Sequence, residues 1–136
     1  MFLVDTNVWL ELLLQQERSS QVERFFETIE AAQFAISEFS MYSIGIILTR
    51  LKKDDVFHDF LSDTIEDSGV AVLRLGVRGL KQALELRREF HFDFDDAYQY
   101  AAAVERGCTL VSFDADFDAT ALGRKTPSQV LSGIGL

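Results

Sequence analysis

The chain has 136 residues, 48% of them hydrophobic and twelve of them Phe, so it is long and apolar enough to fold as one domain with a packed core. Its 13 basic and 22 acidic residues give a net charge of −9, which argues against a general nucleic-acid coat protein, because such proteins bind phosphates through Lys and Arg. The acidic surplus is either ordinary surface charge or is partly concentrated at a cation site.

The apolar runs of this sequence are far too short to cross a bilayer, and its first residues lack the basic leader and apolar stretch of a secretory signal. Cys108 is the only cysteine, which excludes an intrachain disulfide. We therefore expect a cytoplasmic protein without a membrane segment.

Four short apolar runs predict buried strands, at residues 2–4, 34–36, 70–73 and 108–111. Apolar residues at helical spacing predict helices between them, which begin near Thr6, Ser19, Ser37, Asp54, Asp95 and Thr126, and a further helix that runs through Leu80, Leu84 and Leu86. Strands that alternate with amphipathic helices predict an α/β layer fold with a largely parallel sheet, and residues 1–136 are expected to form one domain.

Carboxylates stand at the ends of two predicted strands. Asp5 directly follows the first strand and Asp114 follows the fourth, while Asp95 and Asp96 open the helix that precedes the fourth strand. Ligands of open parallel sheets bind beyond the carboxyl ends of the strands, so these acids are candidates for one site. Clustered carboxylates repel each other unless they are protonated or share cations, and oxygen ligands suit Mg²⁺ or Mn²⁺. Two such ions about 4 Å apart can activate water and stabilise the leaving oxygen in phosphodiester cleavage.

Each of these residues also has a purely structural explanation. Asp5 is placed to cap the first helix, and the helix dipole favours Asp96 near a helix start. Asp114 and Asp116 are residue types that commonly end a strand in a turn. The spacing of the acids by itself leaves the structural and the functional interpretation open.

Three blocks of sequence carry a family resemblance. They are Leu3-Val4-Asp5-Thr6-Asn7-Val8, then Asp95-Asp96-Ala97 with an Ala-rich helix ending at Gly107, then Leu110-Val111-Ser112-Phe113-Asp114-Ala115-Asp116-Phe117. In this order and spacing, over nearly the whole chain, they resemble the PIN domain family, and specifically its VapC-type ribonuclease toxins.

The resemblance implies a three-layer α/β/α sandwich with a central, mostly parallel sheet of about five strands. It also implies Mg²⁺- or Mn²⁺-dependent hydrolysis of RNA phosphodiesters, a small antitoxin protein as partner, and a homodimer. Carried onto matching positions, the primary catalytic acids and metal ligands are Asp5, Asp96 and Asp114, and Asp116 is an accessory ligand. Thr6, Asn7 and Ser112 would supply hydrogen bonds that orient the carboxylates.

One position departs from the family pattern. The family usually carries a Glu in the helix after the second strand, four residues before a Gly; here Gly45 is present but Met41 occupies the matching position. Glu38 lies about one turn earlier. It either replaces the missing catalytic Glu, or it is a first-turn acid that the helix dipole favours.

Basic residues near the end of the same helix, Arg50, Lys52 and Lys53, are candidates for contacts with RNA phosphates, although Lys and Arg pairs more often form a solvated helix face. The main alternative to a nuclease is a catalytically weak or inactive PIN-like binding module, which the displaced Glu and the negative net charge favour. An aspartyl-phosphate phosphatase or receiver is a poorer match, because such enzymes need a second Asp two residues after the first and position 7 is Asn.

Overall fold

The computed structural model describes residues 1–135, and its four strands form one parallel sheet in the order β3-β2-β1-β4. The strands are β1 (Phe2–Val4), β2 (Phe34–Ser37), β3 (Ala71–Leu73) and β4 (Thr109–Val111). All four lie where the sequence predicts strands. Because β1 and β4 are parallel neighbours, the residues that follow them leave the sheet at the same edge.

Seven α-helices connect and flank these strands. They are α1 (Thr6–Leu13), α2 (Ser19–Thr28), α3 (Glu38–Arg50), α4 (Asp54–Asp59), α5 (Val77–Phe90), α6 (Phe94–Arg106) and α7 (Pro127–Gly133). The starts of six of these helices agree with the sequence signals, and for α5 the sequence predicted a helix without a defined start. Ser37 caps α3 by accepting a hydrogen bond from the Ser40 backbone N–H, and Thr126 and Gln129 form a capping box at α7.

The sheet is covered on both faces, because successive side chains of a strand point to opposite sides. Leu3 of β1 and Leu110 of β4 belong to a buried cluster with α5 and α6. Val4 of β1 and Val111 of β4 belong to a second cluster with α1, α2, α3 and α7. The architecture is therefore the expected α/β/α sandwich, with apolar cores above and below the sheet.

The sheet has four strands among the described residues, where the family resemblance implies about five. Lys125 occupies the fifth position, beside β4, but it pairs only with Val111 in an isolated parallel bridge. The chain enters α7 immediately afterwards, capped by Thr126, which leaves no further residues to extend the pairing.

Two short helical segments differ from the sequence-based expectation. The helix predicted from Asp54 continues after α4 as a π-helical segment, Phe60–Glu66, and a 3₁₀ segment, Ala115–Ala119, follows β4. Within residues 1–135 no helix is both long and apolar enough to cross a membrane.

Candidate metal centre

Asp5 occupies the junction between β1 and α1 and is buried. Its Oδ1 accepts a hydrogen bond from the Thr6 backbone N–H at 2.8 Å, so Asp5 does cap α1. The same carboxylate also accepts hydrogen bonds from Ser112 Oγ at 2.7 Å and from Gln99 Nε2 at 3.0 Å. Burial raises the pKa of Asp5, and the hydrogen bonds from Ser112 and Gln99 offset part of that rise. Asp5 is thus a cap that three separate segments hold in one orientation.

Ser112, directly after β4, connects the two strand ends. Its Oγ accepts hydrogen bonds from the Asp114 backbone N–H at 2.9 Å and from Asn7 Nδ2 at 3.3 Å, while it donates to Asp5. Asn7 Oδ1 in turn accepts a hydrogen bond from the Phe113 backbone N–H at 3.2 Å. The polar residues Asn7 and Ser112, singled out from the sequence, therefore fix the loop that carries Asp114 relative to Asp5.

Gln99 and Ser40 belong to the same network, and the sequence analysis did not identify them. Both are buried, and Gln99 Nε2 donates to Ser40 Oγ at 2.5 Å as well as to Asp5. The hydroxyls of Ser40 and Thr6 are 2.7 Å apart. Gln99 lies three residues after Asp96 and so shares its helix face, which was the available signal.

Further carboxylates form two groups near the strand ends, and neither group includes Asp5. Oxygen atoms of Asp96, Asp114 and Asp116 all lie within 4.8 Å of one another, and a second such group consists of Asp93, Asp95 and Asp96. Burial, and then the negative charges of Asp95 and Asp114, raise the pKa of Asp96 to about 7. Asp96, in the first turn of α6, belongs to both groups.

Asp5, Asp96 and Asp114 border a cleft of about 410 Å³ at the carboxyl edge of the sheet, and Asp116 is not among its lining residues. It is lined by Asp5, Thr6, Asn7, Leu10, Phe39, Ser43, Ile47, Asp93, Asp95, Asp96, Gln99 and Asp114. The structure thus brings together acids from three segments separated by about ninety and about twenty residues.

The donor set of the cleft fits a hard divalent cation. Every charged residue in its lining is a carboxylate, and no His or Cys lines it among the described residues. The Oε1 atom of Gln99 is buried and is the one such side-chain atom in residues 1–135 without a hydrogen-bond partner. Burial and then the charges of Asp95 and Asp114 raise the pKa of Asp96, and a cation would offset those charges.

Glu38 does not lie in this cleft. It borders a neighbouring groove, where Tyr42 Oη donates to its Oε1 at 2.6 Å and Arg74 Nε is 4.0 Å from its Oε2. The reason is the register of α3: once Ser37 caps the helix, positions 39, 43 and 47 face the cleft, and Glu38 falls on the adjacent face. Met41 packs against the apolar cluster around α1 and α2.

The basic residues at the end of α3 also lie apart from the acids. Arg50, Lys52 and Lys53 are exposed, and none of them lines the acidic cleft. The structure therefore does not bring these predicted RNA contacts to the carboxylates.

The fold and the cleft together define a parallel α/β domain with carboxylates gathered at the strand ends. The chain belongs to the PIN domain family, whose model matches residues 2–122. A search of curated proteins gave no significant match to the sequence.

Solved structures with the same fold include toxins. VapC20 of Mycobacterium tuberculosis, described as a Sarcin-Ricin loop cleaving toxin, is 21% identical, with a TM-score of 0.75 over 89% of this chain and 95% of that one. FitAcB from Neisseria gonorrhoeae is 21% identical, with a TM-score of 0.73 over 94% and 99% of the two chains. A toxin-antitoxin complex from Klebsiella pneumoniae is 20% identical, with a TM-score of 0.73 over 93% and 98%. At these identities the likeness is one of fold.

Proposed function

We propose that this chain is a divalent-metal-dependent endoribonuclease, the toxin of a toxin-antitoxin pair. The observation that carries the proposal is the convergence of Asp5, Asp96 and Asp114, from three distant segments, on one cleft at the strand ends. Membership of the PIN domain family and the shared fold with an RNA-cleaving toxin support the same function.

In this proposal Asp5, Asp96 and Asp114 hold the cation and Asp116 assists. When bound, Mg²⁺ or Mn²⁺ supplies Lewis-acid stabilisation of the charge that develops on the phosphodiester. The chain's own contribution is preorganisation: Ser112, Gln99 and the Thr6 N–H hold the Asp5 carboxylate in one orientation. Asp96 must release its proton before it can serve as a ligand, which couples the occupancy of the cleft to pH.

We also propose an antitoxin protein as partner and a homodimer. The relatives of like fold that are toxin-antitoxin complexes support the partner, and an Arg from that protein would neutralise the carboxylates of the cleft. Exposed apolar side chains on α3 and α5, among them Tyr42, Ile46, Leu80 and Leu84, support a dimer surface. Light scattering of the purified chain, alone and with a candidate antitoxin, tests both assemblies.

Cleavage of structured and unstructured RNA in Mg²⁺, in Mn²⁺ and in EDTA tests the proposed activity. We expect cutting that needs the divalent ion and that Asp5→Asn abolishes, while Asp55→Asn, at an exposed position on α4, leaves it unchanged. If no RNA is cut, or if cutting survives Asp5→Asn, the nuclease assignment is wrong.

The second candidate is a catalytically quiet PIN-like binding module, and the position of Glu38 favours it. The family's helix Glu has no acidic counterpart on the face of α3 that borders the cleft, which carries Phe39, Ser43 and Ile47.

A catalytic role for Glu38 stays a prediction, and the Glu38→Gln variant tests it. Because Tyr42 and Arg74 hold its carboxylate outside the cleft, we expect Glu38→Gln to keep the cleavage rate within about twofold.

A further inference from the structure

A groove with basic walls adjoins the acidic cleft. It has a volume of about 420 Å³ and is lined by Arg87, Arg88, His91, Phe92 and Asp93. The two arginines lie in the last turns of α5, and His91 ends that helix in a left-handed conformation with φ of 58°. Phe92 is buried, so it forms the floor of the groove beneath the exposed arginines.

The groove and the cleft are contiguous, because Asp93 lines both. The carboxylates of Asp93, Asp95 and Asp96 approach within 4.8 Å of one another on the cleft side, and the guanidinium groups stand on the other side. Within residues 1–135, neither Arg87 nor Arg88 forms an ion pair at 4.0 Å or less. In a chain of net charge −9, two arginines without an ion pair therefore lie next to the acidic cleft.

Favourable interaction with the carboxyl end of a helix dipole is the usual structural role of Arg in a last turn. That role requires a positive charge near the helix end but no cavity. Here both arginines border a defined groove that has Asp93 in common with the carboxylate cleft, and within the described residues neither arginine forms an ion pair at 4.0 Å or less. The arrangement suits an anion that extends out of the cleft.

We infer that this groove binds a backbone phosphate of the RNA strand whose scissile phosphodiester lies at the acidic cleft. The inference rests on the proposed nuclease function and adds a subsite to it. Guanidinium groups bind phosphate oxygens in pairs of parallel hydrogen bonds, and such contacts are independent of base sequence. The groove would thus hold the strand where it leaves the acidic cleft, on a protein whose acidic surface otherwise repels it. An acidic peptide carries the same kind of charge, but continuity with the cleft favours the nucleic acid.

The test is the double variant Arg87→Gln/Arg88→Gln, with Arg78→Gln/Lys81→Gln as matched control. The control residues lie on the same helix, are exposed, and remove the same two charges at its other end. Binding of a fluorescein-labelled single-stranded RNA is measured by anisotropy in the Asp5→Asn background, where the strand stays intact. We expect the groove variant to bind about tenfold more weakly on every RNA sequence, with the slope of log Kd against log salt reduced by about 1. The control should stay within about twofold of the parent.

The outcomes separate this inference from the nuclease proposal. If wild-type protein cuts RNA and the groove variant cuts it with unchanged KM, the subsite is wrong and the nuclease stands. If no RNA is cut but the groove variant alone loses RNA binding, the nuclease is wrong and the phosphate groove stands. Equal weakening in both double variants would assign the effect to overall charge and overturn the inference. Binding of poly-glutamate but not RNA would also overturn it, in favour of a protein partner.

Discussion

Among single residues, Asp96 is the one whose ionised carboxylate most directly lowers the stability of the folded protein when no cation is bound. Its raised pKa means that the folded chain holds the Asp96 proton more tightly than the unfolded chain does. The stability that this proton confers is fully present below the unfolded pKa near 3.8 and is lost as the pH rises through about 7. At neutral pH, without a cation, the folded state therefore carries an electrostatic cost at Asp96.

Replacing Asp96 by Asn should remove that cost. In EDTA at pH 8 we expect Asp96→Asn to stabilise the protein by on the order of 1 kcal/mol, kept small because Asp96 is only partly buried and solvent screens its neighbours. At pH 5 the difference should be clearly smaller, because the folded wild-type carboxyl is then protonated, and it should vanish only below about pH 3.8, where the unfolded carboxyl is protonated as well. Thermal unfolding at both pH values measures this, with the exposed Glu85→Gln as control. A variant less stable than wild type at pH 8 would contradict the account.

Gln99 holds Asp5 in place and does not itself carry charge. Replacing it by Met, which is similar in volume, should keep the core filled but free the Asp5 carboxylate to turn. We expect a fall of about tenfold to a hundredfold in kcat or in apparent Mg²⁺ affinity, the size typical for residues that orient metal ligands. The exposed Gln82→Met is the matched control. Unchanged kcat and Mg²⁺ dependence in Gln99→Met would show that Ser112 and the Thr6 N–H suffice.

Their places at strand ends and a helix start made Asp5, Asp96 and Asp114 candidates, and the resemblance to the PIN domain family, rather than their spacing, assigned them to one site. The sequence could not lead to Gln99, whose role depends on a tertiary contact with a strand end 94 residues away. The position of Glu38 outside the cleft could not be predicted for another reason. One residue advances the direction of a side chain by about 100° around a helix, so the precise start of α3 decides whether an acid faces the cleft.

At the level of secondary-structure elements, the turn between α6 and β4 requires a particular backbone conformation. Gly107 ends α6 with φ of 64°, a left-handed conformation that costs a residue with a side chain about 1 kcal/mol. The next residues begin β4, whose far end positions Asp114. The turn is thus a backbone requirement, and Gly at this point was a readable stop signal in the sequence.

Gly107→Ala should therefore lower the free energy of unfolding by about 1 kcal/mol. A Cβ at this position meets nothing within 4 Å, so the loss would come from the backbone conformation and not from a clash. Gly133→Ala is the matched control: it also has open space but lies within α7, where Ala is the better helix former. Denaturant unfolding compares the two variants. Equal effects of both substitutions would rule out the backbone explanation.

Strands and long helices were predictable because their apolar periodicity is set by the sheet and its two covered faces. The 3₁₀ segment Ala115–Ala119 and the π-helical segment Phe60–Glu66 were not, since both depend on how a short stretch meets its neighbours. The fifth strand is reduced to the Lys125 bridge for a similar reason. Its length is decided by the place where the Thr126 cap starts α7, and not by β-propensity.

For the molecule as a whole, the net charge of −9 means that a divalent cation bound in the acidic cleft would also stabilise the folded chain. Any ion that binds the folded chain alone stabilises it, by about 2.7 kcal/mol at a hundred times its Kd. For a domain of this size we expect Mg²⁺ at that level to raise Tm by roughly 10 °C. The effect should be smaller at pH 5.5 than at pH 8, because protons compete with the cation at Asp96.

The same experiment separates a bound ion from general screening of an acidic surface. Asp114→Asn/Asp116→Asn removes two carboxylates of the cluster and should abolish most of the Tm rise. Glu23→Gln/Glu27→Gln removes two exposed charges on α2 and should keep it. Sodium chloride at matched ionic strength should raise Tm only slightly, since screening acts on all surface charges alike. If sodium reproduces the magnesium effect, or if both double variants retain it, the stabilising ion does not lie between Asp96, Asp114 and Asp116, and the acidic cleft is not a metal centre.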